Sequence, residues 1–207
     1  MTVTIENEAI IHSVQQHSEK YIATSKAIHA NPEIGNEEVF ASAQLVALLQ
    51  EAAFNVETAV AGHETSFYAQ KDSGKPGPTI AYLAEYDALP GLGHACGHNI
   101  IGVTSVAAAI ALAETLDTTG GKVVVLGTPA EEGGPNGSAK GSFVRHGYLK
   151  DVDLAFMLHP SGKTGVTLSH ADTSSVSTGT TFGSTSNVSG TNGTTVTIPN
   201  FKVDGYG

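Results

Sequence analysis

A single cysteine, no tryptophan and few charges set the first limits on this 207-residue chain. One cysteine excludes an internal disulfide and any four-cysteine zinc module. Charged residues make up 14% of the chain, against roughly 25% in an average globular protein. Basic residues are the scarcer sign: 10 Lys and Arg stand against 20 Asp and Glu, a formal charge of −10. A nucleic-acid binder needs a basic surface to release counterions, so no nucleic-acid partner is expected. The acidic balance is compatible with a metal site or a cationic substrate. No apolar run reaches 18 residues, so no membrane span or membrane partner is expected. The segment 1–8 lacks a basic region followed by an apolar stretch, so a signal peptide is not expected and the default compartment is the cytoplasm. Without such a signal, the glycosylation sequons at Asn187 and Asn192 read as chance matches. With 40% hydrophobic residues, the length suits one core with an appendage.

Residues 1–160 alternate between helix and strand patterns. Ile10, Val14, Tyr21, Ile22 and Ile28 recur at near-helical spacing and predict one amphipathic helix over 6–30. Pro32 stops it. Asn36 can cap a second helix over 37–52. Strands are predicted at Thr65–Ala69 and Thr79–Ala84 around a Gly/Pro-rich turn at 72–78. An Ala-rich helix from Asn99 to Leu116 has so few polar residues that it must be buried on most sides. Lys122–Gly127 and Leu154–Leu158 read as buried strands, with a short helix over 138–148. The alternation implies an α/β layered sheet. Residues 161–200 differ, with 25 of 40 being Ser, Thr or Gly. Disorder and loose β structure, with a strand at Thr194–Ile198, are both compatible with that composition.

Three clusters follow predicted strands, and in α/β sheets ligands bind at the carboxyl ends of strands. Glu85-Tyr86-Asp87-Ala88-Leu89-Pro90 runs on through Gly91-Leu92-Gly93 to His94-Ala95-Cys96-Gly97-His98-Asn99. Thr128-Pro129-Ala130-Glu131-Glu132-Gly133-Gly134 follows the second strand, and His159-Pro160 the third. Cys96, His98, Glu132 and His159 form a thiolate, imidazole and carboxylate set that suits zinc, with manganese or cobalt as alternatives. Adjacent glutamates diverge, so one can bind metal while the other takes a proton from water. Taken singly, each feature has a plainer reading. Cys96 can be a small hydrophobe, Glu131-Glu132 a solvated turn, and His94 a cap for the following helix. His12, His17, His29, His63, His146 and His170 read as structural or surface residues.

The order of these motifs, with His29-Ala30-Asn31-Pro32-Glu33-Ile34-Gly35-Asn36-Glu37-Glu38 before them, resembles the amidohydrolase branch of the aminoacylase/carboxypeptidase metallopeptidases, family M20. The similarity covers about 20–168 and looks closest to aminobenzoyl-glutamate hydrolase and dipeptidase-like members. It implies a three-layer α/β catalytic domain of the zinc-peptidase type with a mixed, mostly parallel sheet. The catalytic segment would span 1–168, followed by a Ser/Thr/Gly-rich tail over 169–207 without an assigned domain. It also implies Cys96, His98, Glu132 and His159 as ligands of one or two divalent ions and Glu131 as general base and acid. Asp87 would orient a ligand or bridge to the centre from behind it. Glu85 stands where the peptidase branch has a His ligand, a loss for which Cys96 compensates.

The implied activity is metal-assisted hydrolysis of the amide bond in small N-acyl or aminoacyl amino acids. Family members are longer. After the His-Pro corner they insert a lid or dimerisation domain and return with a last His ligand. The alternative is therefore a catalytically incomplete metal-binding or interaction fragment. Weak metal binding, a homo-oligomer and little turnover are expected of it. A cysteine-nucleophile hydrolase using Cys96 is a third reading, which leaves Glu131, Glu132 and His159 without a purpose.

Overall fold

The computed structural model describes residues 4–133 and 137–160. The chain divides into two units, Met1–Pro160 and Ser161–Gly207. The expected tail, the strand at Thr194–Ile198, the two sequons and His170 lie outside the described residues.

Helices α1 (Thr4–Gln16), α2 (Ser18–Ala30) and α3 (Val39–Glu51) lead into strands β1 (Asn55–Thr58), β2 (Phe67–Asp72) and β3 (Thr79–Ala84). Helices α4 (His98–Ala113) and α5 (Leu116–Thr119) precede β4 (Lys122–Gly127), and α6 (Ala139–Arg145) precedes β5 (Leu154–Phe156). The strands form one mixed sheet in the order β1-β2-β4-β3-β5. Its pairings divide evenly: β1–β2 and β2–β4 are antiparallel, while β3–β4 and β3–β5 are parallel. Among the described residues, no helix is long and apolar enough to cross a membrane.

Successive residues of a strand point to opposite faces, and β4 shows the result. Val123 and Val125 join Ala69, Ala84, Val103 and Val106 in a core beneath the helices α2, α3 and α4. Val124 and Leu126 join Ala81, Ala139 and Phe143 on the other face, under α6. This gives three layers, helix–sheet–helix. Helix α4 is buried along most of its length, as its Ala-rich composition requires. Burying each such Val or Leu stabilises the fold by about 1.5–3 kcal/mol.

Several sequence expectations need correction. The single helix over 6–30 is two, because the Ser18 hydroxyl donates to the Gln15 carbonyl and the chain turns at His17. Such local side-chain bonds compete with the helix ladder. Asn36 does not cap α3. The Glu33 carboxylate does so, accepting the Phe40 and Ala41 N–H groups at 2.9 Å each. β2 sits later than expected, since Ser66 closes a turn onto the Val60 and His63 carbonyls. β5 is shorter than expected and lies at the end of the strand order, with Leu154 47% exposed. Its apolar residues signal a strand correctly, but its place in the sheet leaves it uncovered.

Gly127 ends β4 opposite Phe67, whose ring lies where a side chain at that position would be. Phe67 is fully buried and stacks on Tyr86 with ring centroids 5.9 Å apart, so it has nowhere to go. Gly127→Ala is expected to destabilise the chain by about 1–3 kcal/mol, the usual cost of overpacking. A lowered urea midpoint with an unchanged denaturant slope is the result to look for.

Candidate metal centre

The parallel register sets the site. Ala84 of β3 is level with Gly127 of β4, and Tyr82 with Phe156 of β5. The segments leaving the three strands at this end therefore emerge side by side: 85–90, 128–133 and 157–160. Period-two alternation then sorts the first of them. Tyr86 points into the core and its hydroxyl donates to the Thr65 carbonyl at 2.8 Å, while Glu85 and Asp87, both 1% exposed, flank His98.

His98 opens α4 and is 1% exposed. Its Nδ1 lies 2.8 Å from Asp87 Oδ1 and 3.0 Å from the Asp87 carbonyl oxygen. Both are acceptors, so Nδ1 carries the hydrogen, and in the neutral ring Nε2 keeps its lone pair. That Nε2 is buried and, among the described residues, has no hydrogen-bond partner. It faces Glu85 Oε2 at 3.5 Å, Glu131 Oε2 at 3.8 Å and Glu132 Oε1 at 3.9 Å. Burial lowers the His98 pKa, but the Asp87 bond and the surrounding carboxylates outweigh it, and the net shift is upward. Burial raises the pKa of Asp87, yet its bonds to His98 and to the Glu132 N–H hold its carboxyl below the usual range.

Ligand-capable atoms fall into two overlapping groups: Cys96–His98–Glu132 and Glu85–His98–His159. The four ligands expected from sequence therefore do not form one set. Cys96 and Glu132 fall in one group with His98, and Glu85 and His159 in the other. An unpartnered buried imidazole nitrogen among carboxylates and a thiol fits a divalent cation. The Cys96 thiol donates to Glu132 Oε1 at 2.8 Å, and this bond, with burial and nearby carboxylates, pushes its pKa up to about 11. A reactive cysteine needs the opposite shift, so the geometry disfavours a thiol nucleophile.

Glycine and the N-terminal segment bring these loops together. Gly97 has φ +80, and a side chain there would stand 2.9 Å from Pro160 Cγ, so the His159-Pro160 corner closes over it. Gly97 is also the residue before α4, whereas the expected cap His94 is buried, with no partner for either ring nitrogen among the described residues. Gly35 meets the 128–133 loop so closely that a methyl would stand 2.5 Å from the Gly133 carbonyl oxygen. Glu38, 0% exposed, accepts the Ala130 N–H and the Thr65 hydroxyl at 2.8 Å each. The Pro-Glu-Ile-Gly-Asn-Glu-Glu segment thus braces the loop carrying Glu131 and Glu132. Two contributors were missed from sequence, Glu38 as this brace and Lys140, whose ammonium pairs with Glu85. Pairing of distant charges leaves no local pattern.

A second tie joins the segment to α6. Arg145 donates to Ser142 Oγ at 2.8 Å, which directs the Ser142 hydroxyl hydrogen to His63 Nε2 at 2.9 Å. His63 Nδ1 then donates to Asn36 Oδ1 at 2.7 Å. The network needs neutral His63, and burial, with Arg145 and His146 nearby, lowers its pKa. The unfolded chain binds the proton more readily, so stability is full above the unfolded value, about 6.5, and falls as the pH drops towards the folded value. Urea midpoints should decline below about pH 6.5, and His63→Gln should lower stability at pH 7.5 while flattening that decline.

Comparison with known proteins adds a separate line. The sequence profile of "Peptidase family M20/M25/M40" matches residues 78–200. The chain is 38% identical over 160 residues to a Mus musculus Xaa-Arg dipeptidase, covering 72% of this chain and 36% of the relative. It is 35% identical over 173 residues to one of the subunits of Escherichia coli p-aminobenzoyl-glutamate hydrolase, covering 74% and 35%. The chain thus spans about a third of the length of these curated relatives. Among solved structures, a protein from methicillin-resistant Staphylococcus aureus superposes with TM-score 0.68 at 32% identity, covering 79% of this chain and 45% of that one. The YXEP protein of Bacillus subtilis, a dinuclear metal binding peptidase, superposes with TM-score 0.64 at 24% identity, covering 73% and 45%.

Proposed function

The chain belongs to peptidase family M20/M25/M40, and from that premise we propose that it carries the metal-binding half-site of an amidohydrolase acting on small N-acyl or aminoacyl amino acids. The observation that carries this reading is His98 Nε2, buried, without a hydrogen-bond partner among the described residues and ringed by carboxylates. Cys96, His98 and Glu132 would hold one divalent ion, with Glu85 and His159 as the further candidate ligands that group with His98. Zinc suits this mixed sulfur, nitrogen and oxygen set, and manganese or cobalt are its nearest substitutes.

When bound, such an ion acidifies a water and polarises an amide carbonyl. The chain's own groups do the rest. Glu131 is 35% exposed at its side chain, open to substrate and within 3.8 Å of His98 Nε2. It takes the water proton as the amide carbon is attacked and returns it to the departing amine, so water and amide become a carboxylic acid and an amine. Asp87 joins the two halves of the centre. One oxygen fixes the His98 tautomer and the other holds the Glu132 N–H at 3.0 Å. This is the supporting contact that metal-binding imidazoles require.

The test is metal content by mass spectrometry together with hydrolysis of N-acyl amino acids, aminoacyl amino acids and aminobenzoyl-glutamate. Stoichiometric zinc whose affinity falls on Cys96→Ser, with amide cleavage that needs the ion, is the expected result. Zinc bound without any cleavage would leave a metal-binding module in place of an enzyme. No zinc at all would end the proposal.

A further inference from the structure

Ala130, the residue before Glu131, has φ +57, and of the five non-glycine residues with positive φ among the described residues it alone has no exposed surface. An L residue is strained there because its Cβ crowds the following carbonyl oxygen. Such a conformation persists only where its surroundings over-determine it. One neighbour is the Gly35 backbone, so close that a methyl on Gly35 would stand 2.9 Å from Ala130 Cβ. The other is the Glu38 carboxylate, which accepts the Ala130 N–H at 2.8 Å. Glu38 is itself held in place. Its second oxygen accepts the Thr65 hydroxyl, and the Thr65 carbonyl accepts the Tyr86 hydroxyl, each at 2.8 Å.

What Ala130 fixes is the direction of a tight turn. Its carbonyl accepts the Gly133 N–H at 3.2 Å, which places Glu131 and Glu132 at the two central positions. Asp87 holds one side of this turn through the Glu132 N–H at 3.0 Å, and Glu38 holds its entry through the Ala130 N–H. Relaxation of Ala130 to an ordinary negative φ would redirect both glutamates relative to His98 Nε2, because the chain beyond that bond turns with it. We propose that Glu38 is a positioning residue that holds Ala130 in its left-handed conformation and thereby aims the base Glu131 and the ligand Glu132 at the metal centre. This inference rests on the metal-centre reading and adds what sets the direction of its two glutamates.

Zinc affinity, measured by competition with a chromophoric chelator on chain shown by its urea transition to be folded, reads this without an activity assay. Glu38→Met keeps the length of the side chain and removes both acceptors. It should weaken zinc binding by about tenfold or more, the scale of losing a supporting contact. Glu38→Gln keeps one acceptor and should lose less. Ala130→Gly supplies a residue that takes positive φ without strain, so Glu38→Met added to it should cost much less zinc affinity than Glu38→Met alone. A role of Glu38 in core packing alone gives the same fold-loss with and without Ala130→Gly. That result, or an unchanged affinity in Glu38→Met, would overturn the inference while leaving the metal centre standing. No zinc bound by the wild-type chain would overturn the metal-centre reading and this inference with it. If Glu38→Met fails to fold, recovery of folding on adding Ala130→Gly supports the positioning role, and failure to recover overturns it.

Discussion

Replacing Glu131 with Gln is expected to leave metal binding intact and to lower amide hydrolysis by about two to four orders of magnitude, the usual worth of a positioned base. The substitution keeps the size and hydrogen-bonding shape of the side chain and removes its capacity to accept a proton. Glu131 is suited to this contrast because it faces His98 Nε2 without belonging to either ligand group. Glu132 behaves differently, since it belongs to the Cys96–His98–Glu132 group and its oxygen already holds the Cys96 thiol. Glu132→Gln should therefore weaken zinc binding. Parallel calorimetric titrations and hydrolysis assays separate the two. Equal loss of zinc from both variants would show that the roles are not divided in this way.

His98→Ala should have the largest effect on metal binding, because this residue is shared by both ligand groups. Cys96→Ser and His159→Ala each remove a ligand from one group and leave the other whole, whereas His98→Ala removes a ligand from both. Asp87→Asn is the milder test. An amide at this position can still accept the Nδ1 hydrogen through one atom, but it loses the charge and one of the two acceptor contacts to His98 and the Glu132 N–H. Loss of such a supporting partner typically costs 10–100-fold in metal affinity. Zinc competition with a chromophoric chelator gives both numbers. An Asp87→Asn affinity within twofold of wild type would mean that His98 is oriented by packing alone.

Much of the fold could be read from local pattern. β3, β4 and α4 are continuous apolar segments bounded by Gly, Pro or polar residues, and they occur where periodicity places them. The three strand ends bearing Glu85–Asp87, Glu131–Glu132 and His159 were legible for the same reason. What escaped was decided by partners distant in sequence. β1 is four residues long with Val56 as its one half-buried hydrophobic side chain, and only pairing with β2 makes it a strand. The cap on α3 comes from Glu33, outside the helix, where a cap search looks to the residue next to it. The division of ligands into two groups depends on which atoms the folded loops bring within reach of one another, which spacing does not encode. Lys140 is an ordinary helical lysine in the sequence, and its value lies in meeting Glu85, 55 positions earlier.

The Glu38–Ala130 hydrogen bond joins residues 92 positions apart. A contact of that span closes only after the intervening chain has given up most of its freedom, because long loops are entropically slow to close. The loop bearing Glu131 and Glu132 is therefore among the last parts of the chain to be set, after β2, β3 and β4 have paired. On the proposed metal-centre reading, ligation would be a late event on the folding route, a latch on an assembled sheet in place of a seed around which the sheet forms.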